Sequence, residues 1–234
     1  LTLVMIRPHG VTNWADNVNR LGMALSAKGS SVLVLEDKLQ KWGSRSEFAS
    51  CVRRLKFSPS GSCSALNQAL VEVQTQYCLV LDDLMRAMSA DRFVRSIPLI
   101  IDSLEEGRTG HLGVGSSMEP HAGCLVTSPA EGSADAGKIA GLFAPSFLLD
   151  LRAMRRVGGF RSGWQSLAMG CLDLSLRMGT QGFASRLAEF EGILGSSKSE
   201  GDYLQSVSEQ EARDFERIWK RTPVGLNPKY PPEV

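Results

Sequence analysis

Short, almost uninterrupted apolar runs alternate along the chain with stretches whose apolar residues recur at helical spacing. The runs Leu1–Ile6, Ser31–Leu35 (SVLVL) and Tyr77–Leu81 (YCLVL) read as strands covered on both faces, as in a parallel sheet. Between the first two, Val11–Lys28 places Trp14, Val18, Leu21 and Leu25 on one helical stripe and ends at Gly29. A short helix is expected near Phe48–Leu55, then a weak third strand leading to Ser58-Pro-Ser-Gly61, and a helix over Ser64–Gln76. Ser89 is placed to cap a helix over Ala90–Leu104 that Glu105-Glu-Gly closes. From Gly107 to Gly137 the chain is rich in Gly, Ser, Pro and Ala, with strand-like pieces at His111–Val114 and Cys124–Thr127 and a mobile loop expected around Pro129–Gly137. Ile139–Leu149 reads as strand and turn, Leu151–Val157 and Leu167–Met178 as helices broken by Gly158-Gly159, and Ser206–Lys220 as a helix before the Pro-rich tail Thr222–Val234. Strands alternating with helices define an α/β domain with a mostly parallel central sheet flanked by helices.

The length of 234 residues suits one such domain. Three stretches make it up: 1–106 and 107–205, the two halves of the domain, and 206–234, the terminal helix and tail. The first residue is Leu rather than Met, so the chain reads as a piece of something longer. Lys plus Arg number 26 against 25 acids, a balance that gives no electrostatic reason to propose a nucleic-acid partner. No apolar run approaches the ~20 residues of a membrane span, so contact with a membrane would be peripheral. Five unclustered cysteines read as reduced thiols and a cytoplasmic setting, and the three histidines lack zinc spacing.

Candidate chemistry lies at the strand ends. SVLVL runs into Glu36–Asp37 and YCLVL into Asp82–Asp83, and open parallel sheets bind ligands outside the carboxyl ends of their strands. Unpaired carboxylates are costly to bury, so the pairs either line a wet cleft, meet cations, or form acidic surface turns.

Four stretches taken in order resemble family 2 glycosyltransferases. Gly61-Ser-Cys-Ser-Ala65-Leu-Asn67-Gln-Ala-Leu70 is similar to that family's G-x-x-x-A-x-N helix. Leu79-Val-Leu-Asp82-Asp83 is similar to its aspartate-bearing strand, Ala153–Phe160 to its V-G-G-F turn, and Cys171–Met178 to its E-D-x-D-L-x-x-R helix. Phe215-x-x-x-Trp219 and Asn227-Pro228-Lys-Tyr230 resemble the tail of O-antigen and rhamnosyltransferase-like members. The resemblance implies a single Rossmann-like GT-A domain in polysaccharide biosynthesis. Such a domain is an inverting transferase that moves a hexosyl or deoxyhexosyl unit from a nucleoside diphosphate sugar to a glycan or lipid-linked hydroxyl. It further implies that Glu36 or Asp37 reads the base, that Asn67 packs beside base and ribose, and that Asp82 and Asp83 hold a divalent cation, Mn or Mg.

Two departures stand out. Leu84 occupies the place of a further metal-binding aspartate, and the late metal-binding histidine is missing near Glu191. Gly170-Cys171 replaces the Glu-Asp pair, so a cysteine takes the position of the usual base. Asp173 is the nearest carboxylate and the candidate catalytic residue. It lies about 200° around the helix from residue 171, and Arg177 at i+4 offers it a structural ion pair. The rival reading is therefore a degenerate GT-A domain acting as a binding or scaffolding module. Trp164, in the loop after the glycines, suits sugar stacking or loose packing, whereas Trp14, Phe215 and Trp219 have core spacing. His121 reads as solvent-facing.

Overall fold

The computed structural model describes residues 1–6, 14–37, 48–57, 61–81, 90–105, 108–116, 125–127, 141–143, 146–190, 207–220 and 223–224. Its elements in chain order are β1 (Thr2–Ile6), α1 (Trp14–Ser26), β2 (Ser31–Asp37), β3 (Val52–Phe57), α2 (Ser62–Val71) and β4 (Tyr77–Leu81). Then come α3 (Ala90–Glu105), β5 (Thr109–Ser116), β6 (Leu125–Thr127), β7 (Leu142–Phe143) and β8 (Ser146–Asp150). The chain continues through α4 (Leu151–Arg156), α5 (Leu167–Thr180), β9 (Ala184–Phe190), α6 (Glu209–Trp219) and β10 (Pro223–Val224).

Seven strands form one sheet in the order β3-β2-β1-β4-β8-β5-β9. All neighbouring pairs are parallel except those made by β8, which runs against β4 and β5. Alternate side chains of each strand point to opposite faces, and both faces are covered. Val4, Leu33, Leu35, Val80, Phe147 and Leu149 pack with α2, α4 and α5, and with Phe215 of α6. Leu3, Met5, Val32, Val34, Leu79 and Leu148 pack on the other face with α1 and α3. This explains why the strands read as continuous apolar runs rather than alternating ones. A second, three-stranded sheet, β10-β6-β7, is antiparallel.

The structure departs from the expected elements in four places. The short helix expected near Phe48–Leu55 is absent: from Val52 the chain is strand β3, registered against β2 from Val32↔Val52 to Asp37↔Phe57, so sheet pairing overrides local preference. Helix α2 stops at Val71 rather than Gln76. The Thr75 hydroxyl donates to the Tyr77 carbonyl (2.8 Å) and, with its proton so used, can accept from the Thr2 hydroxyl 2.9 Å away, pulling this segment onto the sheet. Ile139–Leu149 contains two strands, β7 and β8, in different sheets. Strand β9 has no clear sequence signal, because ASRLAEF at the sheet edge carries charged positions among its apolar ones. The helix stop at Gly29 is present (φ 70), as are the break at Gly158–Gly159 and the last helix, which a Ser208–Glu211 capping box begins. The Ser89 cap and the Pro129–Gly137 loop lie outside the described residues.

Candidate functional site

The carboxyl ends of β1, β2 and β4 lie side by side at one edge of the sheet. Ile6 pairs with Leu35 and Met5 with Leu81, so β2 continues past the end of β1 through Glu36 and Asp37, and Leu81 hands the chain directly to Asp82. Glu36 is fully buried and is met by Arg54 from β3, whose Nε and Nη2 donate to its Oε2 at 2.9 and 2.6 Å. The Arg54 guanidinium also lies over the Phe48 ring at 5.2 Å. Arg54 was not singled out from the sequence. Its signal is the V-R-R-L-K-F run, in which a strand carries cations beside an acidic strand end. Asp37 continues the ladder opposite Phe57. Asp82 and Asp83 lie outside the described residues, as do Leu84, His121 and Glu191. Among the described residues no group of three or more His, Cys, Asp or Glu side chains is placed to hold a metal ion.

Asn67 of α2 grips the glycine turn that follows α4. Its Nδ2 donates to the Phe160 carbonyl (2.6 Å) and its Oδ1 accepts from the Phe160 N–H (2.9 Å), so one amide side chain pairs with both backbone groups of that residue. The turn it grips requires glycine: Gly158 and Gly159 have φ of 80 and 74, and a Cβ at Gly159 would come within 2.9 Å of Asn67 Oδ1.

The same turn is held from α5. Arg177 donates to the Val157 carbonyl (2.5 Å) and the Gly159 carbonyl (2.6 Å), while its Nε donates to Asp173 Oδ2 at 2.8 Å, the i, i+4 pair expected from the sequence. Asp173 is fully buried, and its Oδ1 accepts from Trp219 Nε1 (3.0 Å) and meets Arg161 Nη1 (2.9 Å). Arg161 also lies over the Trp219 ring at 5.9 Å. Asp173 therefore joins α5, the loop after the glycine turn, and α6. Arg161 and the Trp219 N–H went unread as partners because they lie far from Asp173 in sequence or off its helix.

Cys171 is fully buried in the core that α5 shares with α2 and the sheet. A Cβ on Gly170 would lie 2.1 Å from Cys63 Sγ, so the two helices touch where the Glu-Asp pair was expected. Cys63 is a packing residue: burial, with lesser help from Glu211 and Asp173, pushes its thiol up to about 12. Cys51, Cys63, Cys78 and Cys171 are all free thiols. Trp164 is not an exposed loop residue. It is 5% exposed, tilted against Phe215 with centroids 6.0 Å apart, and its indole N–H has no partner among the described residues. It is a core residue here, as are Phe215, fully buried, and Trp219, packed against the same core.

A mostly parallel sheet of this order, crossed by one reversed strand and flanked by helices on both faces, is the GT-A fold. Solved structures of that fold superpose on it. Mannosyltransferase PcManGT from Pyrobaculum calidifontis, in complex with GDP-Man and Mn2+, matches with a TM-score of 0.55 at 12% identity, over 86% of this chain and 58% of that one. TarS 1–349 from S. aureus, in complex with UDP-GlcNAc, matches with a TM-score of 0.57 at 12% identity, over 93% of this chain and 64% of that one. A longer TarS structure matches with a TM-score of 0.55 over 93% of this chain and 38% of that one. The chain thus spans less than two thirds of the length of each, and at this identity the likeness establishes the fold. No protein-family model matches the chain, and no curated protein matches it in sequence. No helix among the described residues is long and apolar enough to cross a membrane.

Proposed function

We propose that this chain is a transferase domain that binds a nucleoside diphosphate sugar across the carboxyl ends of β1, β2 and β4 and delivers its sugar, with inversion, to a hydroxyl on a glycan or lipid-linked acceptor. The observation that carries the reading is that β2 and β4 flank β1 and run parallel to it, β2 ending on Glu36–Asp37 and β4 ending at Leu81, from which the sequence continues into Asp82–Asp83. Glu36 and Asp37 then face the base side. Burial of Glu36 against Arg54 fixes a polar pair at that edge, where one can orient the other toward a ligand. A divalent cation, Mn or Mg, would be held by Asp82 and Asp83. Carboxylate oxygens suit such hard cations, the diphosphate completes the ligand set, and the bound ion offsets the charge of the departing nucleotide. Asn67 serves as a positioning residue through its grip on Phe160. That the liganded neighbours carry GDP-Man and UDP-GlcNAc supports the donor class.

One observation favours a second reading, a binding or scaffolding module without transfer. Inverting transfer needs a base within hydrogen-bond reach of the acceptor hydroxyl. Cys171 is enclosed in the core, and both oxygens of Asp173 are engaged by Arg177, Arg161 and Trp219.

The test is to titrate UDP and GDP, with and without manganese, into the unaltered chain and into Asp82→Asn/Asp83→Asn, and to assay sugar transfer in parallel. Binding that the double variant weakens at least about tenfold, together with transfer, supports the enzyme. Such binding without transfer to any acceptor supports the module. Equal affinity in both proteins sinks the assignment of the aspartates.

A further inference from the structure

A cleft of about 460 Å³ opens at the other end of the sheet. Its walls come from the starts of β4 (Tyr77) and β5 (Thr109), from Asp150 at the end of β8, which pairs with Tyr77, and from Glu105, Arg108 and Arg152. Because β4 and β5 begin there, the cleft faces away from the strand ends that carry Glu36 and Asp37.

Its chemistry is mixed in sign. Two guanidiniums, Arg108 and Arg152, oppose two carboxylates, Glu105 and Asp150, so the charges of the described lining residues cancel. Arg152 is held against Asp150 through Nε and Nη2 (3.3 and 3.1 Å), and Glu105 Oε1 accepts from the Tyr77 hydroxyl. Spare bonding capacity remains. Arg108 is exposed and makes no ion pair or hydrogen bond to another described residue, and the second oxygen of Glu105 and the side-chain carbonyl of Gln76 are likewise unused among the described residues. Arg108 holds a left-handed backbone (φ 57) that costs a non-glycine residue conformational energy, and this conformation sets its side chain at the cleft. Half-buried Phe183 and buried Leu104 supply the apolar wall.

A phosphate in this cleft would meet two carboxylates, and an ammonium two guanidiniums. A sugar hydroxyl both donates and accepts, so a ring bearing several of them satisfies both kinds of group without net charge, while its C–H face packs on the apolar wall. The volume falls within the ~300–1,000 Å³ range of small-ligand sites. We propose that this cleft is a second carbohydrate-binding site, taking a neutral hexose unit of a glycan at the end of the sheet opposite the donor.

The experiment titrates the whole, isotope-labelled chain with maltopentaose, cellopentaose and inorganic phosphate, following backbone and aromatic NMR signals. The expected result is saturable shifts at Thr109, Tyr77 and Phe183 with one of the neutral oligosaccharides, of millimolar affinity, weakened at least about tenfold by Arg108→Ala/Glu105→Gln. Both substituted side chains are exposed, and an unchanged melting temperature verifies that the fold persists. The proposal is overturned if neither oligosaccharide shifts these signals, if phosphate alone does, or if the double variant binds sugar as tightly as the parent. A separate titration with UDP and GDP reads the opposite end of the sheet, so failure of the proposed donor site leaves the cleft result standing, and the reverse.

Discussion

Glu36 at the end of β2 and Asp173 in the middle of α5 are both fully buried carboxylates, and arginine meets each of them. At Glu36 the guanidinium comes from the adjacent strand, and both of its bonds fall on one oxygen. At Asp173, donors from α5, from the loop after the glycine turn and from α6 converge on both oxygens. The first arrangement sits at the rim of a sheet, where a ligand can compete for or extend the pairing. The second ties together three segments, so its loss is felt by all of them. Burial and an arginine partner are thus common to a carboxylate at a sheet rim and to one that ties three segments together, and only variants of each can separate a binding role from a structural one.

The largest expected effect tests that distinction directly. Asp173→Asn leaves Arg177 and Arg161 without their counter-charge, and breaking a buried pair in this way costs about 3–5 kcal/mol; urea unfolding measures it. Glu36→Gln removes one such partner at the rim. It is expected to cost less in unfolding but to weaken UDP or GDP binding about tenfold, whereas Asp173→Asn leaves the affinity of the folded fraction unchanged. If the two variants trade these outcomes, the comparison is inverted.

The next effect concerns pH. His111 on β5 is fully buried, edge-on to Phe147 at 5.3 Å, with neither ring nitrogen bonded among the described residues. Burial lowers it from 6.5 to about 3, so the folded chain keeps it neutral where the unfolded chain binds a proton. Stability is therefore undiminished above pH 6.5 and falls as pH drops from there toward 3. The loss is about 2 kcal/mol by about pH 5, at ~1.4 kcal/mol per unit. Acid unfolding of His111→Leu against the parent isolates it: parallel curves for the two proteins would remove His111 from the account.

Asn67→Ala strips both partners from the Phe160 backbone and is expected to cost about 1–3 kcal/mol. Asn67→Asp keeps the acceptor for the Phe160 N–H but sets a carboxylate oxygen against the Phe160 carbonyl, so at neutral pH it should cost at least as much as Asn67→Ala. Equal stability of all three proteins would show that the glycine turn holds itself. Smallest is Ser208→Ala, which opens the capping box of α6 for about 1 kcal/mol. It should also loosen the Trp219 contact to Asp173, visible as faster hydrogen exchange of the indole N–H.

Much of this was legible in the sequence where chemistry and local pattern coincide. SVLVL and YCLVL read as buried parallel strands because both of their faces are covered, and the Asp173–Arg177 pair follows from helical spacing. What the sequence hides is set by pairing across distance. Val52–Phe57 is a strand because β2 offers it a ladder. Trp164 looked like a loop residue until Phe215, fifty-one positions later, was seen to cover it. Arg54 could not be matched to Glu36 before the register of β2 and β3 was known.

The contact between Gly170 and Cys63 also limits what residue 170 can be. Any side chain at 170 collides with the Cys63 sulfur, which a Cβ there would approach to 2.1 Å. A glutamate at 170 therefore fits only if residue 63 is made smaller or the two helices move apart. The helix pair works as an interlock: what one position can hold is set by its neighbour on the other helix. Placing Asp at 171 alone would leave position 170 sterically closed to an acid.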